Sequence, residues 1–135
     1  MKKYLLDTHI LLWIFQEPHK ISANVQSVLK DDSNILTYSA ISLQEISIKA
    51  VIGRLDLKGH SPEDIRLQAI RSDFDELVIS GNLTTSLYQL STKSNHRDPF
   101  DRLLIWQAIK GDFTLISADK KFLQYECDGL KLLQN

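Results

Sequence analysis

The sequence predicts an α/β fold in which a central, mainly parallel sheet carries helices on both faces. Two observations lead there. Short strand-like apolar runs at 4–6, 35–38, 77–79 and 114–117 alternate with helix-length segments, the pattern of successive βαβ units. Residues 100–109 are apolar except for Asp101, Arg102 and Gln107, which marks a helix buried on most sides, as one packed on a sheet is. The 135 residues suffice for one compact domain with a real core and are too few for two, so a single domain over 1–135 is expected.

Tyr4-Leu5-Leu6 forms the first strand and Asp7-Thr8 turns the chain. The apolar run from Ile10 to Phe15 is too long for another strand of that kind and reads as a helix, closed by Pro18. Ser22 opens a second helix, with Val25, Val28 and Leu29 at helical spacing. A turn at 31–34 leads to the second strand, and residues 39–52 form a helix ended by Gly53. Ser61 caps the next helix with Pro62 at its first position, and that helix ends near Ser72. The strand at 77–79 is followed by Ser80-Gly81-Asn82 and a weaker helix through Leu90, then by a polar loop from Ser91 to Arg97. Asp98 and Pro99 start the buried helix: proline loses nothing in a first turn, and it pushes the preceding residue to the extended angles of an N-cap. The strand at 114–117, a short helical turn around Phe122 and a last edge strand within 130–133 complete the chain.

The formal net charge is −1, so no global field attracts a polyanion, and a nucleic acid has to be met by local basic residues or bound cations. Cys127 is the single cysteine and no Cys/His cluster has zinc spacing, which fits a reducing, cytoplasmic setting. Met1-Lys2-Lys3 has the charge of a signal peptide's start, but Asp7 and His9 interrupt the apolar run that follows, and no stretch is long enough to span a membrane.

Four acids occupy equivalent places: Asp7 after the first strand, Glu45 in the helix after the second, Asp101 at the start of the buried helix, and Asp119 after the strand at 114–117. In an open parallel sheet these junctions share the edge at the carboxyl ends of the strands, where such folds place ligands. Carboxylates gathered there repel unless protons or hard cations neutralise them, and oxygen donors select Mg²⁺ or Mn²⁺. Each acid also has a plain structural explanation. Asp7, Asp98 and Asp119 can cap the helices that follow, worth about 1 kcal/mol each. Glu45 can close a capping box with Ser42 or pair with Lys49. Asp101 is the hardest to explain that way, because Asp98 already caps its helix. Thr8 and Ser117 are candidates for orienting ligands or substrate, although hydroxyls beside strand ends commonly bond to backbone. Arg97 and Arg102 are candidates for holding phosphate, or for pairing with Asp98 and Asp101. Trp106 shares a helical stripe with Arg102 and Lys110, which suggests a rim or partner contact, whereas Trp13 and Phe15 read as core.

These segments together resemble the PIN-domain ribonucleases, specifically the VapC-type toxins of bacterial toxin–antitoxin pairs. The resemblance spans essentially the whole chain and is carried by Tyr4-Leu5-Leu6-Asp7-Thr8-His9, by Ser42 through Lys49, by His96 through Ala108, and by Ile116-Ser117-Ala118-Asp119. It implies a three-layer α/β/α sandwich and an endoribonuclease that uses one or two Mg²⁺ or Mn²⁺ ions. Its acidic quartet would be Asp7, Glu45, Asp101 and Asp119, with Asp98 as accessory metal ligand. It also implies an RNA substrate, a small antitoxin partner and often a homodimer. Trp106, where the family usually has a small residue, and the polar segment from Gly81 to Asn95 depart from its pattern. A catalytically silent binding module is the alternative, and four retained, mutually repelling acids count against it. A phosphatase using Asp7 as nucleophile wants a second aspartate where His9 stands.

Overall fold

The computed structural model describes residues 2–135; Met1, with which the leader-like start begins, lies outside the described residues. Five parallel strands, β1 (Lys3–Leu6), β2 (Ile35–Ser39), β3 (Asp75–Leu77), β4 (Thr114–Ser117) and β5 (Lys131–Gln134), stand in the order β3-β2-β1-β4-β5. Helices α1 (Thr8–Gln16), α2 (Ala23–Lys30), α3 (Ala40–Val51), α4 (Pro62–Arg71), α5 (Gly81–Ser86) and α6 (Pro99–Gly111) connect them. The expected α/β/α sandwich is the observed architecture.

The pleat of β1 divides the core. Tyr4 and Leu6 join Ile10, Leu11, Val25, Leu36, Tyr38, Ile46 and Ile65 on one face. Leu5 points the other way, into Leu104, Ile105, Ala108, Leu115, Phe122 and Tyr125. Burying a leucine or isoleucine completely stabilises by about 1.5–3 kcal/mol, and Leu5, Leu6, Ile10, Leu11, Leu104 and Ile105 are all fully buried. Helix α6 buries six consecutive residues, Leu103 to Ala108, which matches its near-continuous apolar sequence.

The strand order creates the site. The chain steps from β1 to β2 to β3 in one direction and then returns to lay β4 on the other side of β1. Connections leaving β1 and β4 therefore diverge at their carboxyl ends and leave a crevice there. The Asp7 amide still donates to the Ile116 carbonyl at 2.9 Å, which locks the two exits together.

Several local expectations change. The third strand lies at Asp75–Leu77, two residues earlier than the apolar run, and Val78 is exposed. At this sheet edge Glu76 takes over, its carboxylate accepting from Arg66 Nε at 2.7 Å and from the Tyr38 hydroxyl at 3.0 Å. Helix α5 stops at Ser86 and continues as a 3₁₀ turn, Leu87–Gln89, while the helical turn around Phe122 is a nine-residue 3₁₀ segment, Lys120–Asp128. Trp106 is core rather than rim: it is 7% exposed, its indole N–H donates to Ser86 Oγ at 3.0 Å, and α5 covers it. Trp13 is only half-buried. Among the described residues no helix is long and apolar enough to cross a membrane.

Candidate active site

Asp7, Glu45, Asp101, Asp119 and Asp98 converge on one cleft of about 310 Å³, whose lining also includes His9, Trp13 and Lys49. Asp7 and Asp119 follow β1 and β4, whereas Glu45 lies in the second turn of α3 and Asp101 in the first turn of α6, after a loop and not a strand. A larger hollow of about 740 Å³, lined by Thr92, Lys93, Ser94, His96, Arg97 and Arg102, holds no acid. Asp101 and Asp98 approach Glu45 closely enough that one ligand atom from each lies within 4.8 Å of the others, and Asp101, Asp119 and His96 satisfy the same limit.

Capping and clustering turn out to be compatible. Asp7 caps α1, with Oδ1 accepting from the Thr8 amide at 2.8 Å, and its Oδ2 accepts from Ser117 Oγ at 2.8 Å. Asp98 caps α6 through the Asp101 amide at 3.0 Å, which fixes where the helix begins and so where Asp101 stands in its first turn. Asp119 caps the 3₁₀ segment through the Lys121 amide, and its own amide donates to Ser117 Oγ. Each cap engages one carboxylate oxygen and so orients the group. Glu45 is different, because Ser39 caps α3 and Ser42 lies inside the helix, so no capping box forms there. Glu45 is 3% exposed and its Oε2 accepts from Lys49 Nζ at 2.5 Å.

Burial makes this grouping expensive. It pushes the Asp7 carboxyl up to about 7; the Ser117 hydroxyl and Thr8 amide oppose the rise, and the charges of Asp101 and Glu45 add to it. Burial also raises Asp101, against the His96 hydrogen bond and with the charges of Asp98 and Glu45. For Lys49, burial favours the neutral amine, yet the bond to Glu45 and the charges of Glu45, Asp98 and Asp101 outweigh it and raise its pKa. One cation thus faces a ring of acids. The donor set is oxygen-rich, partly desolvated and mutually repelling, which suits a hard divalent cation.

The remaining candidates divide. Thr8 and Ser117 are buried and their hydroxyls are spent inside the protein, on Ser42 and on Asp7. Ser117 thereby holds Asp7, while the Thr8 hydroxyl ties α1 to α3 and only the Thr8 amide meets the Asp7 carboxylate. Arg102 pairs with neither aspartate: its guanidinium donates to the Leu90 and Ser91 carbonyls and to the Tyr125 hydroxyl. Arg97 is exposed and lines the acid-free hollow. His96 was not among the expected site residues, yet it is 4% exposed and its Nε2 lies 3.0 Å from Asp101 Oδ2. The available signal was a histidine placed directly before the capped helix, at the end of a loop otherwise too polar to bury one.

The PIN domain family model matches residues 4–126. No curated protein sequence matches the chain significantly. Among solved structures, the chain is similar to VapBC2 from Rickettsia felis bound to a DNA fragment from the promoter, with 23% identity, 98% of each chain covered and a TM-score of 0.69. It is also similar to VapBC-1 from nontypeable Haemophilus influenzae, with 23% identity, coverage of 98% and 97%, and a TM-score of 0.68. DNA-bound VapBC from Salmonella typhimurium follows at 18% identity, coverage of 99% and 98%, and a TM-score of 0.67. At these identities the structures speak for the fold, and the family rests on the sequence model: this chain belongs to the PIN-domain family.

Proposed function

We propose that this chain is a divalent-metal-dependent endoribonuclease that hydrolyses RNA phosphodiester bonds and acts as the toxin of a toxin–antitoxin pair in the cytoplasm. The observation that carries the reading is the convergence of Asp7, Glu45, Asp101 and Asp119 on one cleft at the point where the strand order reverses. These four, with Asp98 as accessory, are the residues that would hold one or two Mg²⁺ or Mn²⁺ ions. Such an ion supplies charge neutralisation at the scissile phosphate and activation of the attacking water. The chain's own groups prepare the site for it. Ser117 and the Thr8 amide fix both oxygens of Asp7, Asp98 sets the start of α6 and so Asp101, and Lys49 offsets part of the negative charge around Glu45. Arg97, exposed in the acid-free hollow, is left as the arginine for a flanking phosphate, because Arg102 is engaged elsewhere.

The toxin role is supported by membership of the PIN-domain family and by the likeness to chains from VapBC assemblies. Ile48, Val51 and Ile52, exposed around the end of α3, offer apolar surface for an antitoxin or a second copy of this chain. Purified protein with Mg²⁺ or Mn²⁺ is expected to cleave RNA, and EDTA or Asp7→Asn to stop it; cleavage that survives both overturns the metal mechanism. Induced expression is expected to arrest growth, with relief from a small protein encoded next to it. Full growth despite abundant folded protein points instead to a binding module without turnover.

A further inference from the structure

We infer that His96 is a positioning residue: a one-way hydrogen-bond relay, Arg102 to Tyr125 to His96, fixes its imidazole so that Nε2–H holds Asp101 Oδ2 and leaves Oδ1 for the cleft. The inference rests on the metal-site reading of Asp101.

The relay's direction follows from what each group can do. Arg102 is anchored by the Leu90 and Ser91 carbonyls, at 3.1 and 3.0 Å, and a guanidinium only donates. The Tyr125 oxygen, 3.1 Å from Arg102 Nη1, therefore accepts from it. The Tyr125 hydroxyl lies 2.9 Å from His96 Nδ1, and the relay assigns its proton to that nitrogen. An imidazole that accepts at Nδ1 carries its proton on Nε2, and Nε2 faces the Asp101 carboxylate at 3.0 Å. Tyr125 is fully buried, and the rings of Phe122 and Tyr125 pack on the imidazole with centroids 5.5 Å away, so the ring is held in orientation as well as in tautomer.

A buried histidine that merely satisfies itself needs only some partner for each nitrogen. This one points Nε2 at a carboxylate in a crowd of carboxylates, and its other nitrogen is held by two residues, Tyr125 and Arg102 behind it, that touch nothing in the cleft. Oriented outer partners of this kind typically change metal affinity or activity by about 10–100-fold when lost. The rival arrangement is direct ligation, since His96, Asp101 and Asp119 can bring one ligand atom each within 4.8 Å. Ligation through Nε2 requires that nitrogen to give up its proton, which separates the two roles.

The test is the nitrogen-15 spectrum of the His96 ring in the full chain, taken without and with diamagnetic Mg²⁺, alongside Mn²⁺ binding by calorimetry. The expected result is a neutral ring protonated at Nε2 in both spectra. His96→Leu is expected to weaken Mn²⁺ binding by about 10–100-fold, and His96→Gln, which keeps an N–H on that side, to restore most of it. Should the leucine variant not fold, Tyr125→Phe keeps the packing and removes the donor to Nδ1; it is expected to weaken Mn²⁺ binding in the same direction and to lose the single tautomer. A ring protonated at Nδ1, loss of the Nε2 proton on adding Mg²⁺, or unchanged Mn²⁺ affinity in folded His96→Leu overturns the relay. RNA cleavage is scored separately, so a wild-type protein that binds Mn²⁺ through this relay but leaves RNA intact counts against the nuclease reading alone.

Discussion

The two ends of the parallel sheet carry charge in opposite ways. At the amino-terminal end, Lys131 and Asp112 pair at 2.7 Å with their side chains 61% and 78% exposed, and Lys3 donates to the Gly111 carbonyl beside the Phe113 ring. Water solvates these groups, so they contribute little and impose little. At the carboxyl-terminal end, Asp7 and Glu45 are 4% and 3% exposed and share a cleft with three more aspartates, with Lys49 as the cation paired to Glu45. Capping accounts for one oxygen each of Asp7, Asp98 and Asp119, whereas Glu45 and Asp101 cap no helix. The first end shows how this chain handles charge when only solubility matters, and the second shows charge held against the fold's interest, as expected of a site built for a ligand.

Substitutions at the two ends should therefore behave differently, and the largest contrast is in activity. Asp101→Asn is expected to lower RNA cleavage by more than about 100-fold, beyond the loss of an outer partner, while leaving the melting temperature unchanged or higher; a steady-state cleavage assay reads this. Lys131→Ala is expected to leave cleavage unchanged.

The next effect is on stability against pH. Asp7 binds its proton more tightly in the folded chain than at its ordinary value of 3.8, so the folded state holds the extra proton between about pH 4 and 7. Stability of the metal-free protein should fall as pH rises through that window, by a few kcal/mol in all, about 1.4 kcal/mol for each pH unit fully inside it. Asp7→Asn is expected to flatten the slope and to be the more stable protein at pH 8 in EDTA. Urea titrations at several pH values measure it, and parallel slopes for the two proteins would contradict the burial account of Asp7.

A smaller loss is expected from Lys49→Met. Removing the ammonium leaves buried Glu45 without its partner, and the metal-free protein should lose about 1–3 kcal/mol at pH 8, discounted because Lys49 is itself one-third exposed. Mg²⁺ should recover part of that loss. The smallest effect is expected from Lys131→Ala, whose melting temperature should match the wild type at every pH tested.

The sheet and the acids were legible because both depend on local pattern. Alternation of short apolar runs with helical ones predicts parallel order, and Asp7 and Asp119 stand just beyond β1 and β4 in the sequence itself. What escaped depends on contacts between distant segments. Nothing near Trp106 reveals that Ser86 will cover it, and nothing near His96 reveals Tyr125, twenty-nine residues on in sequence. Arg102 looked like a phosphate ligand because it sits one residue from Asp101, but a helix turns successive side chains by about 100° and sends it to the Leu90 carbonyl instead. Strand β3 was displaced because an edge strand needs backbone pairing on one side only, and Glu76 satisfies its side chain with Arg66 and Tyr38. The supposed Ser42–Glu45 capping box failed because Ser39, at the strand end, starts the helix one turn earlier.

The most direct test of the central claim, that the buried acids form a divalent-cation site, is the unfolding free energy at pH 8 in EDTA and in saturating Mg²⁺. Wild type should gain stability with Mg²⁺, about 2.7 kcal/mol at a hundredfold excess over Kd, and Asp101→Asn should gain far less. Equal stability of the wild type in EDTA and in Mg²⁺ would contradict it.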